Sequence, residues 1–245
     1  MEGSFTHMGI LISSIMDLFI KEEKMRPGII LFNANGQAIS PKEISKQISN
    51  FGDGYNNAVG KIIKNSKVLD NDGKKFIECA SQILSSFGMK RSGPFHENLS
   101  ERLGKCWDTV GTDLIEINKS VYKSGLSRER YLLELNNQER DSLIAKIWKI
   151  TKKLLPCTMG KTSYGLVGAS KLLFSVLPEI VLPIDNNELL HVFQTVDIGD
   201  VIHYMVSDIQ NWEANTGFQF NELDHSKRIT TLPSVYNVMA MYARP

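Results

Sequence analysis

The sequence predicts a mainly α protein, a helical bundle-like domain preceded by a smaller region in which helices are mixed with a hairpin. Three observations carry that expectation. Apolar residues recur at three- and four-residue spacing through most of the chain. Helix start and stop signals punctuate that pattern, and alternating, β-branched strand signals are few. With 42% hydrophobic and 22% charged residues in 245, the chain can bury one sizeable core, or a core plus a small appended domain, and is not globally disordered.

The elements follow in order. Ile12, Ile15, Met16 and Phe19 share one face of a helix over Met8–Ile20, which contains Asp17 and is too short for the roughly 20 apolar residues of a membrane span. Gly28 to Phe32 is short and apolar and leads into the turn Asn33-Ala34-Asn35-Gly36. Ser40-Pro41-Lys42-Glu43 is a helix start, with a capping serine, a proline in the first turn and an acid that can close a capping box. Helices are expected over Pro41–Ser49 and Asn56–Asn65, joined by a turn with Gly52 and Gly54. Two readings overlap next. Lys74 to Phe87 has a helical pattern that stops at Gly88, yet Val68-Leu69 and Lys75-Phe76-Ile77 flank Asp70-Asn71-Asp72-Gly73 as the arms of a hairpin would. The polar run from Met89 to Pro94 reads as a linker between a region over 8–90 and an all-helical domain over 95–245. Helices in the latter are expected over 97–122, Gln138–Leu155, Ala169–Leu177, Asn186–Thr195, Val201–Ala214 and Ser234–Tyr242.

The formal net charge is only +1, which argues mildly against a dedicated nucleic-acid binder, but its distribution is uneven. Between Ser142 and Pro178 there are six lysines and no acid; between Glu179 and Ser226 there are nine acids and no lysine or arginine. Lys146, Lys149 and Lys153 fall on one helical face, as a phosphate-facing stripe or as a solvated face neutralised by the acidic half. Cys79, Cys106 and Cys157 are odd in number and widely spaced, so they predict buried thiols in a reducing, cytoplasmic compartment rather than a disulfide framework.

Gly160-Lys161-Thr162 invites a phosphate-loop reading, but Leu155 stands where that motif needs glycine and a lysine-rich helix precedes it in place of a strand. The stretch Tyr164-Gly165-Leu166-Val167-Gly168-Ala169-Ser170-Lys171, a helix ending at Leu177-Pro178, and the apolar run to Leu182-Pro183-Ile184-Asp185 resemble the helix-hairpin-helix DNA glycosylases. The resemblance implies DNA phosphate bound by backbone N–H groups at Gly165 and Gly168, and base excision through Asp185. The family's bifunctional members use a lysine nucleophile, near whose place Lys161 and Lys171 stand, 24 and 14 residues before Asp185. The family spacing falls between these, so the alternative is water activated by Asp185 alone. No cysteine cluster for iron–sulfur is present. Asp185-Asn186-Asn187-Glu188 before Leu189-Leu190 is at the same time a capping-box pattern, which requires no catalytic role.

Residues 40–77 resemble a winged helix-turn-helix, which implies Lys61 and Lys64 on a helix in the major groove and a wing over Val68–Ile77. The expectation is therefore a DNA partner with no cofactor, metal or membrane. Asp185 and Lys171 would be catalytic, with Gly165, Gly168, Lys161, Lys146, Lys149, Lys153, Lys61 and Lys64 contacting DNA. The alternatives are a non-catalytic winged-helix nucleic-acid-binding or regulatory protein, and a protein-interaction module.

Overall fold

The computed structural model describes residues 27–65, 68–89, 95–158, 163–227 and 229–245. The helix expected over Met8–Ile20, the 90–94 stretch of the linker, and Lys161 lie outside them. Among the described residues the chain is helical, with no strand and one isolated antiparallel bridge between Phe32 and Ala38. The helices are α1 (Pro41–Asn50), α2 (Asp53–Asn65), α3 (Lys74–Ser86), α4 (Leu99–Lys123), α5 (Tyr131–Glu134), α6 (Asn137–Leu154) and α7 (Ser163–Phe174). A π-turn (Glu188–Phe193), α8 (Ile198–Thr216), a 3-10 turn (Phe220–Leu223) and α9 (Leu232–Tyr242) complete the chain.

Local chemistry explains the starts. Ser40 caps α1 by accepting from the Glu43 N–H at 3.3 Å, with Pro41 in the first turn. At α6 the capping box is complete: Asn136 accepts from the Glu139 N–H, and the Glu139 carboxylate accepts from the Asn136 N–H.

The hairpin reading of Val68–Ile77 is corrected here. Lys75, Phe76 and Ile77 form the first turn of α3, and Asp70-Asn71-Asp72-Gly73 is its capping loop. Asp72 accepts from the Lys74 N–H at 3.1 Å and Asp70 from the Lys75 N–H at 3.1 Å. Two carboxylates on the free donors of a first turn favour helix over a ladder, so the wing of a winged helix is absent from this segment. Gly73 makes the entry with φ +74, and a Cβ there would lie 2.6 Å from the Trp107 ring. Gly73→Ala combines backbone strain with a clash against a half-buried indole, and is expected to lower stability by about 2–4 kcal/mol. Urea unfolding checks this; an unchanged midpoint would mean that Trp107 swings aside and α3 starts without a left-handed residue.

The apolar residues of α7 and of the segment after it are continuous, and every residue from Gly165 to Ile184 is buried. A helix apolar on all sides belongs in the interior, and α7 packs between α3 and α6. One hydrophobic cluster runs from Ile30 to Ala240, and α3 packs on α4 and α1 on α9, so the core is continuous across positions 90–94. The N-terminal part of the described chain is tied down by polar contacts. Asp208 on α8 accepts from the N–H groups of Ile30 and Leu31 and from the Tyr236 hydroxyl, and the Trp212 indole donates to the Ile39 carbonyl at 2.8 Å. No described helix is long and apolar enough to cross a membrane.

Candidate functional site

The fold joins Asp185, Glu188 and Arg244 in one polar cluster and brings Lys171 within electrostatic reach of its two acids. Lys171 projects from the buried helix α7 and is 5% exposed. Its ammonium stands 5.2 Å from the centre of the Phe87 ring, at the end of α3. Burial in this apolar setting pushes the Lys171 amine below the usual lysine range, and the nearby charges of Asp185 and Glu188 only partly oppose that shift.

Asp185 sits at the far end of the buried run, where the chain enters the π-turn. One carboxylate oxygen accepts from the Asn187 and Glu188 N–H groups, and Glu188 accepts in return from the Asp185 N–H at 2.6 Å. The capping-box pattern is thus real. Arg244 joins the two acids, with one guanidinium nitrogen 2.5 Å from Asp185 and 2.9 Å from Glu188. Glu188 is fully buried, and burial followed by the Asp185 charge pushes its carboxyl up to about 7, against the opposing pull of Arg244. Asp185 is the exposed edge of the cluster, its side chain 35% accessible.

α2 and α9 close the other side. The Tyr55 hydroxyl donates to the Ser234 carbonyl and accepts from the Asn237 amide at 3.1 Å. Burial raises the Tyr55 hydroxyl far above the ordinary range, so it remains a neutral phenol. Phe51, Tyr55, Phe87 and Tyr242 meet edge to face around this group, with ring centres 5.1 to 5.8 Å apart. Among the described residues the Asn237 carbonyl oxygen and the Arg244 Nε have no protein partner. Buried polar atoms are nearly always bonded, so these two offer hydrogen-bonding capacity to a bound molecule.

The other predicted residues are dispersed. Gly165 and Gly168 lie within α7 rather than in a turn before it; the Gly165 carbonyl accepts from Thr158, and the face of Gly168 is covered by Phe95 and Thr158. Lys146 pairs with Glu116 at 3.0 Å and Lys153 with Asp113 at 2.6 Å, while Lys149 is exposed. The stripe is therefore neutralised in part by α4, not by the acidic half of the sequence. Lys61 and Lys64 are exposed on α2, and His191 points to solvent from the π-turn.

Sequence reasoning found Asp185, Glu188 and Lys171 but missed Arg244, Tyr55 and Asn237. Asn237 and Arg244 sit in or just beyond a helix whose apolar pattern gives no hint of a polar neighbour. Tyr55 reads as an ordinary aromatic at the start of α2. Comparison of the chain with protein-family models, curated proteins and solved structures finds no match.

Proposed function

We propose that this chain binds DNA and excises a base at the Asp185–Lys171 cluster, as its resemblance to the helix-hairpin-helix glycosylases implies. The observation that supports the reading is that the Lys171 amine, buried on α7 against the Phe87 ring, lies within electrostatic reach of the partly exposed Asp185 carboxylate. A neutral amine is the nucleophilic form of lysine, and desolvation is a standard way to produce it. In this scheme the Lys171 nitrogen attacks C1′ of the extruded nucleotide. The glycosidic bond breaks, and its electron pair leaves with the base, which takes up a proton. Asp185 stabilises the positive charge that develops at C1′ and accepts the proton lost by the amine. The exposed cations Lys61, Lys64 and Lys149 are available to the backbone phosphates.

The complete capping box and the Arg244 tie favour a second reading, in which Asp185 and Glu188 only anchor the start of the π-turn. Asp185→Asn separates the two, because asparagine caps helices as well as aspartate does. The experiment is fluorescence anisotropy with a labelled duplex at several salt concentrations, together with base release from duplexes carrying deaminated, alkylated or oxidised bases. Base excision predicts binding that weakens steeply with salt, and an Asp185→Asn variant that binds DNA normally but releases no base. No binding at low salt, or base release undiminished in the variant, would contradict it.

A further inference from the structure

We propose that the cleft between α1 and the 3-10 turn is a binding site for a nucleoside phosphate. The cleft has a volume of about 720 Å³, within the ordinary range of small-molecule sites, and none of its lining residues belongs to the Asp185 cluster. One wall is a single face of α1, where three- and four-residue spacing brings Lys42, Ser45, Lys46 and Ser49 together. The other wall is the segment after α8, with Phe218, Glu222 and His225. α1 turns a different face to the aromatic arc: the Gln47 carbonyl accepts from the Tyr242 hydroxyl at 3.2 Å, and Phe51 meets the Tyr242 ring.

The second wall is anchored on both sides of an exposed ring. The Phe220 N–H donates to the Glu213 carboxylate at 2.8 Å, and Arg130 binds both Glu213 and Asn221. Buried Asp224 accepts from the Ser226 and Ile229 N–H groups at 3.1 and 2.7 Å, which fixes the loop bearing His225. Phe220 and Leu223 are buried, yet Phe218 is 54% exposed. A ring held on fixed backbone loses little further freedom when a planar group stacks on it. Across the cleft, Lys42 and Lys46 are exposed and make no ion pair among the described residues, whereas Lys74, Lys75, Lys105, Lys146 and Lys153 each make one. Glu222 adds an acceptor, and Ser45 and Ser49 add hydroxyl groups. An aromatic face, a cation pair and an acceptor match the parts of a nucleoside phosphate. The base stacks on Phe218, the phosphate pairs with Lys42 and Lys46, and Glu222 accepts from a sugar hydroxyl or an exocyclic amine. Inorganic phosphate would gain nothing from Phe218, and an apolar ligand nothing from the lysines. The unit can belong to a free nucleotide or to an unpaired stretch of nucleic acid.

The test titrates the whole chain at low salt with two probes, fluorescein-labelled octathymidylate followed by anisotropy and adenosine monophosphate followed by calorimetry. Phe218→Ala is expected to weaken binding about tenfold through loss of the stacked base. Lys42→Ala with Lys46→Ala is expected to weaken it about tenfold at low salt, by a margin that shrinks as salt rises. All three side chains are exposed, so the variants should melt with the parent. Binding of adenosine monophosphate through these residues would identify a free nucleotide as the ligand; binding of octathymidylate alone would identify an unpaired strand. The proposal is overturned if neither probe binds, if inorganic phosphate binds as tightly as adenosine monophosphate, or if the Phe218→Ala protein binds as the parent does. Neither probe carries an abasic site or a modified base, so this result is independent of base excision.

Discussion

Lys171→Met is expected to abolish covalent capture of abasic DNA by borohydride, a loss of about three orders of magnitude or more, while leaving the protein folded. Attack by an amine at C1′ passes through an iminium once the sugar ring opens, and hydride reduction fixes it as a stable amine. Methionine matches the length and apolar character of the lysine stem but has no nucleophile. It also removes a buried amine whose described surroundings are the Phe87 ring face and the nearby charges of Asp185, Glu188 and Arg244. Burial of an amine costs stability, so the variant should melt no lower than the parent. The pH dependence has a defined sign. The folded-state pKa of Lys171 is lowered, so the reactive amine grows as pH rises through that value, and the rate of capture should climb and then level. An active and normally stable Lys171→Met protein would place the chemistry elsewhere.

Asp208→Ala is the substitution expected to damage the fold most. Its carboxylate accepts from the Ile30 N–H at 2.9 Å, the Leu31 N–H at 3.1 Å and the Tyr236 hydroxyl at 2.9 Å, and it is 3% exposed. Truncation strands two buried backbone donors, at about 1–3 kcal/mol each before relaxation and water entry, while the Tyr236 hydroxyl keeps the Gly28 carbonyl as an acceptor at 2.9 Å. A loss of about 4 kcal/mol in denaturant unfolding is expected. A loss below about 1 kcal/mol would show that the segment around Ile30 is held by packing alone. Asp208 also gives stability a pH dependence. Burial raises its carboxyl to about 6, against the lowering influence of its hydrogen bonds. Because the folded pKa exceeds the unfolded value near 4, the folded state holds more protons between the two. Its contribution is therefore full below about pH 4 and is lost as pH rises to about 6, a span of about 3 kcal/mol. Glu188, raised to about 7, acts in the same direction. Melting temperatures recorded between pH 4 and pH 8 should fall with rising pH, and Asp208→Asn should flatten the lower part of that slope.

Much of the helical framework was legible because its signals are local. The capped start at Ser40, the stop at Gly88 and the apolar periodicity of the later helices all appear close to where the sequence places them. The hairpin failed for an instructive reason. Asp70-Asn71-Asp72-Gly73 suits a tight turn and a helix cap equally well, and what decides is the apolar face of Phe76, Cys79, Ala80 and Ile83, which has helical spacing. Gly168 misled in the opposite sense: it reads as part of a turn, but it lies within α7, where Phe95 and Thr158 press against its bare face. At the site, Asp185 and Glu188 were legible as a local cap, and Lys171 was visible as a lone charge in an apolar helix. Arg244 was not, because its partners lie 56 and 59 residues away and only tertiary packing joins them.

The most direct measurement of the central claim is peptide mapping of the borohydride-reduced adduct between the whole chain and an abasic duplex. Base excision at the Asp185–Lys171 cluster predicts a single modified residue, Lys171, with the yield sharply reduced by Asp185→Asn. An adduct spread over the exposed lysines, or confined to a residue outside the cluster, would contradict it, as would the absence of any adduct from a preparation that binds the duplex.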